Sequence, residues 1–431
     1  MSKVTDPSAL DATRFVSNYP PFAHWSAEAV ASAEEILDRA PDGHEPMGLY
    51  LHIPFCRKRC HFCYFRVFTG RSSEDITRYV TALQRELDLI SRWAAVGGRG
   101  PRFVYFGGGT PSYLSSSQLE TIFEAARASF DDGSVEEVTF ECEPGTLSKS
   151  KVRLLKDLGV TRLSLGVEHF DDRVLEWNGR AHREAEIHRA MEWISDAGFS
   201  QVNLDLIAGL VGDTDELWSS TLDRTLAADP DSVTIYSLEI PPNTTLHREI
   251  RTSGHLVAPL PDAESRRRGL RLGFDRFMEH GYGVSSAYTL AREGSRFVYR
   301  DALWGGADML GAGVSAFSQV GGVHYQNHSG WDPYVEAIEA ENRPLARAYA
   351  MDEDERLVRE VVLQLKRGRL DRARFLERHR VDIHRRFEAA LGVLVDRGLA
   401  NVSDAGVRLT LDGLLGVDAL LPLFFRPEHR D

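Results

Sequence analysis

Between residues 47 and 238 six short apolar, β-branched runs alternate with five longer helical stretches. The strand-like runs fall at 48–53, 102–106, 135–141, 162–167, 201–207 and 232–238, with helical patterns at 74–95, 117–129, 149–158, 183–197 and 215–228. Ser115, Ser116 and Ser117 ahead of Gln118, and Thr214 ahead of Asp215, read as helix N-caps. Strands separated by whole helices cannot pair as hairpins, so they form a parallel sheet. Right-handed crossovers then curl six such units into an open barrel related to the eight-stranded one. The expected fold class is therefore α/β, an open parallel (β/α)6 barrel.

The rest of the chain is arranged around that unit. Residues 1–46 form an N-terminal extension that carries Tyr19-Pro20-Pro21-Phe22, and residues 47–240 form the barrel. Residues 241–350 form a further extension: an irregular start, an Arg-rich amphipathic helix at 262–281, then a stretch rich in glycine and aromatics. Residues 351–431 read as a small helical domain with a β-hairpin near 406–410, of winged-helix type.

Charge and composition exclude several classes. A net charge of −13 argues against a nucleic-acid groove, which needs clustered Lys and Arg, and Arg266-Arg267-Arg268 reads as a solvated helix face. No apolar run is long enough to span a bilayer, and the polar N-terminus lacks a signal-peptide core, so a cytoplasmic protein without a membrane partner is expected. Of four cysteines, three crowd into residues 56–63, which reads as metal binding or catalysis rather than a disulfide framework.

Those three, Cys56, Cys60 and Cys63, follow the first strand in the spacing C-x3-C-x2-C. Three thiolates so spaced can wrap one face of a four-iron cubane and leave the fourth iron open for a small molecule. A structural zinc site normally closes with four ligands; His61 could supply the fourth, but it sits between two ligands where ring geometry is awkward. Arg57, Lys58 and Arg59 would offset the charge of an anionic cluster.

With Phe62 as the aromatic before Cys63, residues 49–63 resemble the radical S-adenosylmethionine (SAM) superfamily. More narrowly they resemble oxygen-independent coproporphyrinogen III oxidase and its relatives, over residues 14–330 and more weakly beyond. The resemblance implies a [4Fe-4S] cluster on Cys56, Cys60 and Cys63, whose open iron binds the amino and carboxylate groups of SAM. Electron transfer from a flavodoxin- or ferredoxin-type reductant then breaks a C–S bond and yields a 5′-deoxyadenosyl radical.

Further motifs fall in the family's order. Gly107, Gly108, Gly109 and Thr110 let backbone approach a ligand closely, or simply form a left-handed turn; the resemblance assigns them to the SAM amino group. It places Glu141 on the SAM ribose, and Arg180 on the SAM carboxylate, where a two-pronged donor suits. Asp205 would contact SAM, and Ile207 would pack near the adenine or belong to the core. Glu168 stands where relatives carry glutamine, which keeps an acceptor but loses a donor and adds charge. Cys142 reads as an inert buried thiol. Independently of family, the cysteine loop, the glycine loop, Glu141, Glu168 and Gly209 all fall at the C-terminal ends of predicted strands, where barrel enzymes assemble their sites.

The resemblance leaves three reactions open. Two-SAM methylation or cyclopropanation of an unsaturated carbon is the leading expectation, with Gly311, Gly313 and Phe317 lining a second SAM or forming a packed turn. Oxidative decarboxylation of coproporphyrinogen III, a tetrapyrrole, is the alternative, weakened because those oxidases carry a cysteine where Phe65 stands. A haem-binding chaperone is the third, weakened because Tyr299-Arg300-Asp301-Ala302-Leu303-Trp304 lacks the chaperones' histidine. Asn18-Tyr19-Pro20 resembles the oxidases' segment across the substrate opening. His324 and His328 could line a pocket or cap a loop. Tyr236, Tyr288 and His169 are candidates for proton transfer, by residue type and rim location.

Overall fold

A computed structural model describes residues 2–3, 15–41, 45–130 and 133–430. The six expected strands form at Met47–Ile53, Pro101–Gly108, Glu137–Cys142, Arg162–Glu168, Gln201–Ala208 and Ser232–Ser237, each parallel to the next. Alternation along them divides two environments. Leu49, Leu51, Ile53, Phe140, Leu163 and Leu165 pack into the main core, whereas Tyr50, Tyr105, Glu141 and Asp205 meet inside the barrel. The intervening helices start on the caps read from the sequence: Ser115 accepts from the Gln118 amide at 3.3 Å and Thr214 from that of Leu217 at 3.3 Å.

The sheet does not stop at six strands. Asp308–Ala312 runs parallel beside Met47–Ile53, followed by antiparallel Phe317–Val320, Val323–Asn327 and Leu345–Ala350, while Thr289–Ala291 and Gly283–Val284 extend the opposite edge. The glycine- and aromatic-rich stretch, to which the sequence pattern assigned no element, is thus largely sheet. These strands are short and carry Asp308, Gly311, His324, Gln326 and Asn327. All five residues of Val323–Asn327 are buried, so no polar–apolar alternation marks them. The Arg-rich helix forms at Ala263–Glu279, but Arg266 departs from the expected solvated face. It is buried, and its Nη1 donates to the Pro261 carbonyl at 3.0 Å, while Arg267 and Arg268 stay exposed.

Beyond residue 351 the helix Glu353–Leu365 leads into a three-stranded sheet (Arg369–Asp371, Gly406–Leu409, Ala400–Ser403) and further short helices around their own apolar cluster. Tyr19 of the N-terminal segment is buried in that cluster and its hydroxyl meets His429 Nδ1 at 2.8 Å. The same segment reaches back to the sheet: Phe22 packs on Phe317 and Trp25 stacks on His324. Among the described residues no helix is long and apolar enough to cross a membrane.

Candidate active site

The cysteine loop leaves the first barrel strand and folds back on itself, with the Cys56 amide donating to the Phe68 carbonyl and that of Phe68 to Pro54. The glycine loop at the end of the second strand closes over it, the Gly109 and Thr110 amides donating to the Ile53 and Phe55 carbonyls at 2.8 Å each. A side chain at residue 109 would lie 2.8 Å from the Ile53 oxygen, so only glycine lets the two loops meet. The contact brings Thr110 Oγ1 to 3.3 Å from Cys56 Sγ, and from the far side of the barrel Arg180 Nη1 reaches Cys60 Sγ at 3.2 Å.

Whether these residues suit a cluster can be judged from their surroundings. Burial pushes the Cys56 thiol up to about 12 and that of Cys63 to about 11, so thiolates here need the positive charge of a bound metal group. The Nε atoms of Arg59 and Arg180 are buried and lack a hydrogen-bond partner among the described residues. No three His, Cys, Asp or Glu side chains among the described residues converge as ligands of a single ion do. Thiolates that each take a different iron of a cubane need no such convergence, and the site fits the cluster.

Three buried carboxylates line the lumen next to it. Glu141 accepts from the Tyr105 hydroxyl at 2.6 Å and the Gly108 amide at 3.1 Å, and burial pushes it up to about 7. Asp205, also raised by burial, accepts from Ser164 at 2.7 Å and Asn203 at 3.0 Å. Glu168 sits at a register shift at the end of its strand with φ +64°, a left-handed conformation rare for such a residue, which turns its carboxylate into the lumen. Burial pushes Glu168 up to about 7, opposed by Arg180 3.6 Å away, whose Nη2 donates to the Gly166 carbonyl at 2.8 Å. Phe62 packs against the small apolar cluster that holds Ile207. The structure therefore gathers Cys56, Cys60, Cys63, Phe62, Gly107, Gly108, Gly109, Thr110, Glu141, Glu168, Arg180, Asp205 and Ile207 around one rim.

Sequence reasoning passed over Glu143. It takes both Arg57 Nε at 3.2 Å and Arg57 Nη2 at 3.0 Å, and meets His182 Nδ1 at 3.0 Å. Against the pull of burial, His182, Arg180 and Arg57 hold it down at about 2. This carboxylate ties the cysteine loop to the segment bearing Arg180; the available signal was the Glu-Cys-Glu triplet at 141–143. Arg57 is thereby committed to Glu143 and Glu186 rather than free to face a cluster.

Other expected residues lie elsewhere. His169 is not placed for proton transfer: it is fully buried, its Nδ1 accepts from the Asp171 amide at 2.9 Å, and its Nε2 meets Asp213 at 3.2 Å. Gly311 and Gly313 are closed in packing. Side chains there would meet the Phe317 carbonyl at 2.3 Å and the Tyr79 hydroxyl at 2.4 Å, and Phe317 is engaged with Phe22 and Trp25. His324 is buried against Trp25, while His328 lies at the loop where its amide donates to the Pro344 carbonyl. Tyr236, by contrast, faces the lumen carboxylates Asp205, Glu141 and Glu168, and its ring stacks on Tyr288 with centroids 6.1 Å apart.

An open parallel barrel with a three-cysteine loop at its rim defines a radical SAM protein, and residues 50–224 match the family model described as "Radical SAM superfamily". The chain is similar over nearly its whole length to curated relatives. It is 31% identical to the haem chaperone HemW of Mycobacterium tuberculosis (90% of this chain, 97% of the relative). It is 28% identical to the oxygen-independent coproporphyrinogen III oxidase of Escherichia coli (86% and 83%). The solved structure of that coproporphyrinogen III oxidase, HemN, superposes with a TM-score of 0.83 at 25% identity, covering 95% of this chain and 96% of the other. The chain belongs to the radical SAM superfamily, in the branch of HemN and HemW, and a [4Fe-4S] cluster and SAM are the cofactors of that family.

Proposed function

We propose that this chain is a catalyst that takes a hydrogen atom from a flat, unsaturated small molecule, rather than a haem carrier. When bound, the cluster and SAM supply one-electron cleavage of a C–S bond and a carbon radical. The protein's own part is to bind and orient: Arg180 for a carboxylate, Glu141 and Asp205 for hydroxyls or an amine, the glycine loop for close backbone approach, Phe62 and Ile207 for an apolar ring. The observation that carries the reading is the gathering of Arg180, Glu141, Glu168 and Asp205, all ionisable and enclosed, beside the three thiols. Against a carrier role, the 299–304 segment offers no histidine, and Arg300 is paired with Asp301 at 2.7 Å.

Two outcomes remain for the radical. Decarboxylation of a porphyrinogen is supported by likeness to a coproporphyrinogen oxidase over almost the whole chain. Methylene transfer from a second SAM loses the leading place given to it from sequence. The relatives named above bear tetrapyrrole names, and Gly311 and Gly313 are closed. Phe65, standing where the oxidases carry a cysteine, keeps it as the second reading. The test is anaerobic: reconstituted protein, SAM, reductant and coproporphyrinogen III or unsaturated aromatic candidates, with products read by mass spectrometry. Deoxyadenosine with CO2 loss supports decarboxylation; deoxyadenosine together with S-adenosylhomocysteine supports methylene transfer. No SAM cleavage by protein with a full cluster refutes the catalyst reading.

A further inference from the structure

The sheet carries the lumen face well beyond the barrel. Strands Met47–Ile53, Asp308–Ala312, Phe317–Val320, Val323–Asn327 and Leu345–Ala350 are consecutive neighbours in it. Along the added strands Val320, Val323, Tyr325 and Ala348 join the main core that Leu49, Leu51 and Ile53 occupy. Side chains alternate across a strand, so Phe317, His324, Gln326 and Arg347 lie on the opposite face, the one on which Tyr50 and Tyr105 line the lumen. Phe317 stands opposite Gln326, and Gln326 opposite Arg347. Four strand steps of ~4.8 Å separate the strand of Tyr50 from that of Arg347, about 19 Å along the sheet.

At that distance Arg347 is held by neutral groups alone. Its Nε donates to Gln326 Oε1 at 2.7 Å and its Nη1 to the Phe22 carbonyl at 3.0 Å. Gln326 is fixed in turn, donating to the Ser315 carbonyl at 3.2 Å and Oγ at 3.0 Å. The guanidinium lies 5.6 Å from the ring centroids of both Phe22 and Trp25. Among the described residues its Nη2 has no hydrogen-bond partner and no carboxylate pairs with it, although the side chain is half-buried. The similarly sheltered Arg99, Arg343 and Arg426 face Asp308, Asp38 and Asp352. A fixed, sheltered cation whose charge is unanswered suits an anion brought from outside. Arg59 and Arg180 also keep an open Nε, but both lie at the cluster loop, Arg59 on the Cys63 carbonyl and Arg180 on Cys60 Sγ.

We infer that Arg347 binds a carboxylate of a broad, flat substrate that reaches from the cluster rim across the partly exposed Phe317 ring, the carboxylate held being one that does not react. A tetrapyrrole with carboxylates around its edge has the breadth for this, and a single small ring does not. This anchoring rests on the porphyrinogen reading and deepens it by naming a residue that recognises the substrate.

Two fluorescent probes with one ring system test it on anaerobic, reconstituted protein with SAM: coproporphyrin III, a tetracarboxylate, and its uncharged tetramethyl ester. Arg347→Gln, which keeps a donor for Phe22 and removes the charge, should weaken coproporphyrin by about tenfold or more and leave the ester within about twofold. Arg347→Lys should recover part of the loss. Arg78→Gln, which removes a surface charge paired with Glu339, should change neither. Coproporphyrin left unbound by the parent, bound within about twofold of the parent by Arg347→Gln, weakened equally with the ester, or weakened as much by Arg78→Gln would overturn the inference. CO2 release from coproporphyrinogen III by the parent reports on decarboxylation separately: binding through Arg347 without CO2 refutes that reaction alone.

Discussion

Arg180 offers the sharpest test of how SAM is held. Its Nη1 and Nη2 are committed to Cys60 Sγ and the Gly166 carbonyl, but Nε is buried and unpaired among the described residues. That atom is available to a carboxylate. Arg180→Gln keeps a donor for Gly166 and removes the charge. A hydrogen bond to a charged group contributes about 1.5–3 kcal/mol, so SAM should bind about 10- to 150-fold more weakly. Glu168 also loses the cation 3.6 Å away; being already pushed up to about 7, it can take a proton near neutral pH, which limits the structural cost. Arg180→Lys restores charge without the fork and should recover only part of the affinity. Anaerobic calorimetry of SAM binding, with iron and sulfide counted in each variant, reads the effect. An affinity within twofold of the parent at full iron content would refute the assignment, and so would iron loss proportional to the lost binding.

Replacing Cys56, Cys60 or Cys63 by Ala should abolish the cluster absorbance near ~400 nm; normal loading in all three variants would remove the cluster from this loop. Glu86 lies buried beneath Gly313, accepting from its amide, Asn327 and Tyr334, and burial pushes it up from 4.5 to about 7. The folded protein thus holds a proton that the unfolded chain has released. Stability should therefore fall by about 3 kcal/mol as pH rises from about 4.5 to about 7, a slope that denaturant titration should find flattened in Glu86→Gln. Glu360 of the C-terminal helices accepts from Arg374 at 2.8 Å, forms an ion pair with Arg378 at 3.0 Å and meets His379 at 2.9 Å; burial opposes these partners, which hold its carboxyl below the ordinary range. Glu360→Gln should cost about 2 kcal/mol, discounted for the partly exposed arginines, with a difference from the parent that shrinks as pH falls below about 4.5 in thermal melts.

Periodicity along the chain was enough for the barrel, because each of its strands is locally apolar and bounded by a helix with its own cap. The same holds for the cysteine loop and glycine loop, whose chemistry lies in contiguous residues. Glu141, Glu168 and Asp205 were legible because each ends or interrupts an apolar strand, where a charged side chain needs a reason. What the sequence could not show depends on contacts between distant residues. The added strands at 308–312 and 323–327 are polar or glycine-rich and are held by neighbours on both sides rather than by pattern. His169 looked available by type and position until its ring was found sealed by Asp171 and Asp213. Glu143 gains its role only when Arg57 and His182 arrive from separate segments. Local composition sets which chemistry the chain can perform; burial and the pairing of remote charges, which arise only on folding, decide what it can hold.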